Sequence, residues 1–455
     1  MGLSHKVAIV NLSANSKFHK NFTNVRHNTT IYFIKGIYFM SKSLSLFLAL
    51  FTLSLHAQTL TLQTCIEKSI QNHPDIKKLS FGLQQSSYAV DVAKADYLPQ
   101  VNLSADYNPH NTFVMPQNGT FKTITGDSWQ VGAQLNQKIY DFSKTTSTIK
   151  ANEKGQKIAS LSLKDAEALL SYNVKNIYNL ALFQTKALQT REKDYQTKEE
   201  LYKQAVALVR EGLKTQADEM SMLSALYSAE DAKAQSKAEL HKALTTLSLY
   251  MGENVEFNVT LSDDFIDKKE YFNATKEDAM QKNYSLSSAE EQIKRDSLLY
   301  SAAKAQNYGS IDAVASYTHQ SSLNEYDSSM VGIGIKIPLY SGGKISAQAQ
   351  ISRIDIEIAK ESYNTKKLQL QEEIDNLLID LQRFHYTTKA KEALIDSTNA
   401  TKTIVEARYK EGLSTYIEVL DASSLNLQAT LGLLESKFAI RKIMDRLEYL
   451  RGERE

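Results

Sequence analysis

Lys336-Ile-Pro-Leu-Tyr-Ser-Gly-Gly-Lys344 decides the fold. Before it, Val331, Ile333, Ile335 and Ile337 alternate with Gly332, Gly334 and Lys336, the period of a strand with one apolar face. After it comes a Gln/Glu/Leu/Ile/Lys-rich run with no Gly or Pro before Gly412. A helix over those roughly 68 residues reaches about 100 Å at about 1.5 Å per residue. An average globular helix has only about 11–12 residues. Beyond Gly412, Leu-Ser-Thr-Tyr-Ile-Glu-Val-Leu-Asp421 leads back into helical sequence as far as Gly452. A strand therefore feeds a very long helix, which turns back on a shorter one.

The same plan occurs earlier in the chain. Tyr140 and Tyr340, Lys144 and Lys344, Gly212 and Gly412, and Gly252 and Gly452 are each 200 residues apart (340 − 140, and so on). Arg210-Glu-Gly-Leu-Lys-Thr215 stands against Lys410-Glu-Gly-Leu-Ser-Thr415. A fixed offset held over four landmarks makes the chain an internal duplication.

Composition narrows the class. Lys+Arg 53 against Asp+Glu 52 in 455 residues leaves no basic field for nucleic acid. Five prolines and 17 glycines suit long unbroken helices. A single cysteine, Cys65, rules out an internal disulfide or a Cys-cluster metal site and reads as a small buried helix residue. The nine histidines form no pair or carboxylate cluster at metal-site spacing, and no phosphate loop or nucleophile motif is present. No catalytic, cofactor-binding or metal residue is assigned, and the chain is not expected to be an enzyme.

Met40 to Ala57 has a lysine, an apolar core and a Leu-His-Ala end, the three parts of a secretory signal cleaved after Ala57. Residues 1–39 lack that pattern and read as an upstream extension from a start called too early. Residues 58–252 form the first repeat, 253–272 a linker or equatorial segment, and 273–455 the second repeat. After the signal no run approaches the roughly 20 apolar residues of a membrane helix.

Two helices, broken at Asn72-His-Pro74, lead to strands expected at about 99–109 and 127–140. In these, Val101, Leu103, Ala105 and Tyr107, then Trp129, Val131, Ala133 and Leu135, alternate with polar residues. Residues 110–126 read as a long loop. The second repeat has strands at about 308–319 and 329–340, with Val314 interrupting the polar face and a loop at 320–327. Four strands with one apolar face each have open edges, which cannot meet lipid because their N–H and C=O groups would go unpaired. Three copies give twelve strands, an even number within the range of outer-membrane barrels.

The strand–Pro–Leu–Tyr–x–Gly–Gly corner, the tip Tyr409-Lys-Glu-Gly-Leu-Ser-Thr415 and Ile417-Glu-Val-Leu-Asp-Ala422 together resemble the TolC-like outer-membrane efflux proteins. So do Leu60-Thr-Leu-Gln-x-x-Ile-x-x-Ser-Ile with Asn72-x-Pro74, and Ala95-Asp-Tyr-Leu-Pro-Gln-Val101, so that the resemblance spans residues 58–452. It implies an α+β membrane protein: a homotrimer whose long helical hairpins form a periplasmic helical barrel below a twelve-stranded barrel in outer-membrane lipid. It also implies an exit duct serving an inner-membrane pump and a periplasmic adaptor, in efflux or type I secretion.

In that family acidic residues just after the second tip line the constriction, and the matching positions here are Glu418 and Asp421, three apart on one helix face. The first repeat offers Asp218 but has Ser221 at the other position. The same carboxylates also suit a helix N-terminus on dipole grounds, and both roles are compatible. Gly212, Leu213, Gly412 and Leu413 form the tips expected to meet the adaptor, the glycines being the turn residues. The alternative class is a soluble periplasmic coiled-coil adaptor or structural protein.

Overall fold

The computed structural model describes residues 59–262 and 276–452. The expected signal and upstream extension, and part of the linker, lie outside them. Within the first repeat come β1 (Thr59–Leu60), α1 (Leu62–Asn72), α2 (Pro74–Ala95), β2 (Gln100–Gln117), β3 (Thr120–Tyr140), α3 (Lys144–Arg210) and α4 (Gln216–Met251). Then follow β4 (Thr260–Leu261), α5 (Lys276–Lys282), α6 (Tyr284–Ala305), β5 (Ser310–Ser321), β6 (Glu325–Lys336), α7 (Lys344–Lys410) and α8 (Tyr416–Leu450). The long helices α3 and α7 each run 67 residues, about 100 Å at about 1.5 Å per residue.

The corners between strand and long helix need left-handed backbone. The second repeat meets this with Gly342 (φ 60°) and Gly343 (φ 84°). The first has Phe142 (φ 54°) and Ser143 (φ 69°) at the equivalent places. There the buried Asp141 carboxylate accepts the Thr145 N–H at 2.9 Å, tying down a conformation that costs non-glycine residues energy.

β2, β3, β5 and β6 form one antiparallel sheet in that order, so β2 and β6 are its open edges. The helical wall keeps the same order, with α2 against α3, α3 against α6 and α6 against α7. Farther from the sheet, α4 packs on α3, α3 on α8 and α8 on α7. β1 and β4 pair in parallel at mid-height, where a buried core of Ile66, Val174, Tyr178, Leu244 and Leu247 joins α1, α3 and α4. Leu286, Leu370, Ile374 and Leu447 form its counterpart in the second repeat.

The repeats meet along α3 and α8 through a polar seam. Asn179 Nδ2 donates to Asp445 Oδ2 at 2.7 Å, with Arg441 Nε 3.1 Å from Oδ1. Lys175 pairs with Glu448 at 2.8 Å, and the Tyr449 hydroxyl donates to Asp165 at 3.2 Å. Burial pushes the Asp445 carboxyl up to about 6.

Three expectations about the strands fail. Residues 110–126 are not a loop: β2 and β3 stay paired out to Gln117 and Thr120 around a turn at Asn118 (φ 50°) and Gly119 (φ 82°). Pro109 is accommodated by a bulge between Asn108 and Asn111, beyond which the pairing resumes regularly. The second hairpin likewise has a shorter connection than expected, since β5 reaches Ser321 and β6 begins at Glu325. β6 ends at Lys336, and residues 337–340 lie outside it because Pro338 cannot donate to a ladder.

Candidate functional site

The sheet carries one half of the site. Cross-strand register puts Val101, Leu103 and Tyr107 on one face with Leu135, Ala133 and Trp129. Ala315 and Tyr317 continue that face to Val331, Ile333 and Ile335 on β6. Except for the half-buried Leu135 and Ala315, these side chains stand in the open, Val331 at 88% and Leu103 at 78% exposure. The opposite face has Asn102, Ser104, Asp106, Gln130, Gln134 and Asn136, and Gln130 Nε2 donates to Asp106 at 2.9 Å. Val314 lies on this polar face beside Asn136 and Gly332.

Aromatic residues mark both ends of the apolar band: Tyr107 and Trp129 at one, Tyr140, Phe142 and Tyr308 in ring contact at the other. From Trp129 to Tyr140 is 140 − 129 = 11 residues, about 36 Å of strand, or about 28 Å of height at a tilt of about 40°. That is the dimension of a bilayer-spanning barrel wall. Among the described residues no helix is long and apolar enough to cross a membrane.

The outermost helices repeat the pattern. On α2, Phe81, Tyr88 and Val92 stand exposed at one-face spacing, and on α7 Ile351, Ile354 and Ile358 do the same. Each open edge of the sheet thus continues into a helix with an unpartnered apolar stripe.

The tips are the other half. Helices α3 and α7 both end in a Schellman turn. Gly212 N–H bonds to Val209 O at 3.0 Å and Leu213 N–H to Leu208 O at 2.9 Å, and Gly412 and Leu413 make the same bonds at 2.9 and 2.8 Å. The turn requires positive φ, which is 73° at Gly212 and 75° at Gly412. Leu213 and Leu413 project from it into solvent.

Each return helix then starts with a capping box. Thr215 Oγ1 accepts the Asp218 N–H, and Asp218 Oδ2 accepts the Thr215 N–H at 2.8 Å. That backbone bond, assisted by the Thr215 hydroxyl and the Lys214 charge, holds the Asp218 carboxyl below its usual range. Thr415 and Glu418 repeat the arrangement, with Glu418 Oε2 accepting the Thr415 N–H at 3.2 Å. Glu418 and Asp421 are both exposed, on a stripe that continues to Leu425 and Gln428. Ser221, the first-repeat counterpart of Asp421, is half-buried.

Sequence reading missed how the two tips grip one another. Lys214 Nζ donates to the Ser414 carbonyl at 3.0 Å and lies 5.3 Å from the Tyr409 ring centroid. Tyr409 is wholly buried among Leu208, Met222 and Val419, and its hydroxyl has no hydrogen-bond partner. The available signal was the mismatch at offset 200: Lys214 stands where the second repeat has Ser414.

The family model described as outer membrane efflux protein matches residues 65–253 and 276–452. Outer membrane protein TolC of Salmonella enteritidis is 23% identical over 412 residues, covering 84% of this chain and 80% of that protein. Crystal structures of CusC superpose with a TM-score of 0.77 at 18% identity over 86% of this chain and 92% of that one. For the outer membrane protein VceC of Vibrio cholerae the values are 0.76, 17%, 87% and 97%. These matches do not favour the soluble adaptor. With the family model covering both repeats and the apolar face of the sheet exposed, the chain belongs to the outer membrane efflux protein family and is an outer-membrane exit duct of an efflux system.

Proposed function

We propose that three copies close into a twelve-stranded barrel set on a helical tunnel, and that the assembly passes cargo passively from an inner-membrane pump and a periplasmic adaptor, in tripartite efflux or type I secretion. One observation carries this reading: β2 and β6 are open edges of a sheet whose apolar face is exposed. The sheet alternates in direction, so β6 of one copy meets β2 of the next antiparallel. The helical edges follow, α7 with its Ile351–Ile354–Ile358 stripe against the α2 stripe of the next copy. The chain itself performs no chemistry, and its partners supply the energy.

In this reading Glu418 and Asp421 line the inner constriction and Asp218 adds a weaker contribution. Six carboxylates around a threefold axis repel one another, attract cations and disfavour anions, a tension that opening, protonation or cation binding relieves. The exposure of Glu418 and Asp421 on one stripe supports the assignment, while the capping box gives Glu418 its second role at the helix start. Gly212, Leu213, Gly412 and Leu413 are the adaptor-docking tips, supported by the solvent-facing leucines on rigid turns.

Conductance of the purified protein in a planar bilayer, with and without a trivalent cation, tests both parts. Small stable openings blocked from one side are expected. Openings without block would remove the gate residues and keep the duct. A monomer on sizing with no insertion would remove the duct.

A further inference from the structure

The β2–β3 hairpin outruns the rest of the sheet. β5 ends at Ser321 opposite Trp129, whereas β2 and β3 stay paired to Gln117 and Thr120. Past Asn108 the ribbon runs 117 − 108 = 9 residues, about 30 Å. It lies at the end of the sheet away from the helices, and beyond Ser128 both its edges are open. A lone two-stranded ribbon wet on both faces is marginal in water, so it needs a partner.

Both faces of the ribbon carry apolar side chains, Val114 and Phe121 on the lipid-side face, and the bulge decides which residues share the inner one. β3 alternates regularly, so the polar face of Asn136, Gln134 and Gln130 continues through Ser128 and Gly126 to Ile124. On β2 the extra residue between Asn108 and Asn111 flips parity. Phe113 and Met115, which simple alternation from Val101 places on the lipid side, come round beside Ile124 and Lys122 on the inner face. The inner face, polar through the membrane, therefore becomes apolar above it.

We propose that the three ribbons lean across the outer mouth and pack Phe113, Met115 and Ile124 of each copy against their equivalents at the threefold axis, an apolar outer seal to the duct. The inference rests on the trimeric duct proposed above. The inner face of a closed barrel looks at the axis, so the occupant of this patch is the same patch on the other two copies. Twelve strands about 4.8 Å apart and tilted about 40° make a ring about 75 Å around, with a radius of about 12 Å. A ribbon of about 30 Å spans that radius. Charge does not oppose the meeting: Lys122, the cross-strand partner of Met115, is two pairs nearer the tip than Ile124, and its long chain carries the ammonium to water on the tip side of the seal.

Cysteine cross-linking of the full-length trimer tests this. Cys65 is buried and is replaced by serine, C65S. Met115→Cys then points to the axis, and Val114→Cys, its neighbour on the opposite face, away from it. Under mild oxidation Met115→Cys is expected to give several-fold more covalent dimer than Val114→Cys. Equal linking, or none at position 115 in a sample that sizes as a trimer, overturns the seal and leaves the patch to another occupant. A sample that sizes as a monomer removes the duct and the seal together. Phe113→Ser with Ile124→Ser gives an independent reading: open-channel conductance should rise with the trimer retained, and unchanged conductance overturns the proposal.

Discussion

Asp445→Asn should change how stability depends on pH. Asp445 is 1% exposed, between Asn179 and Lys175 of one repeat and Arg441 and Glu448 of its own helix. Its carboxyl is raised from 3.8 to about 6, first by burial and then by Glu448, with Arg441, Lys175 and the Asn179 bond acting the other way. At about 1.36 kcal/mol for each tenfold change in proton affinity, the rise from 3.8 to about 6 means that the ionised form costs the folded state about 3 kcal/mol per copy. The sign follows from the raised value: the favourable contribution is complete below the unfolded pKa near 3.8 and is lost as pH rises through about 6. Asparagine keeps an oxygen for the Asn179 amide and removes the charge, but it also gives up the Arg441 pair. The variant's advantage over the parent should therefore grow from near zero at low pH towards, at most, about 3 kcal/mol per copy by pH 8. Denaturant midpoints of the detergent-solubilised protein across that range measure the difference. A stability difference that does not vary with pH would refute the argument that the seam holds Asp445 at an energetic cost.

At the tips, Glu418→Gln with Asp421→Asn should abolish cation block while leaving amide exchange at Thr415 slow, because glutamine still serves a capping box. Glu418→Ala should additionally fray the helix start by about 1 kcal/mol, read as faster exchange there. Lys214→Met removes the bond to the Ser414 carbonyl and should raise channel opening, measured as conductance, and identical conductance would deny the grip a role. Gly309→Ala sets a Cβ 1.9 Å from the Lys336 carbonyl at a φ of 83°, so it should sharply reduce heat-resistant trimer on gels. Val331→Arg on the lipid-facing side should cost about 2–4 kcal/mol and reduce membrane insertion, whereas Gln134→Arg on the lumen face should insert normally.

The duplicated hairpins were legible because they rest on periodicity and on Gly punctuation, both local. Gly212 and Gly412 announce a positive-φ turn, and Val331 to Ile337 announce a one-sided strand, before any packing is considered. The distal ribbon was not legible. Asn, Pro and Gly at 109–126 are individually poor strand residues, and a bulge that flips parity hides the alternation on which the reading depends. The tip residues were found by position, but their bonding was not: nothing local to Lys214 points to a carbonyl 200 residues away (414 − 214). Likewise Asp445 looks like any helical aspartate until α3 is laid beside it.

The equal 67-residue lengths of α3 and α7 couple the two halves of the gene product. One residue inserted into α3 alone would lower its tip by about 1.5 Å and turn every side chain beyond it by about 100°. Lys214 would then swing away from Ser414, and the seam along α8 would lose register. A longer or shorter tunnel is thus reachable only by matched changes in both repeats, in steps near whole turns. Its length is a shared ruler that neither repeat can redraw alone.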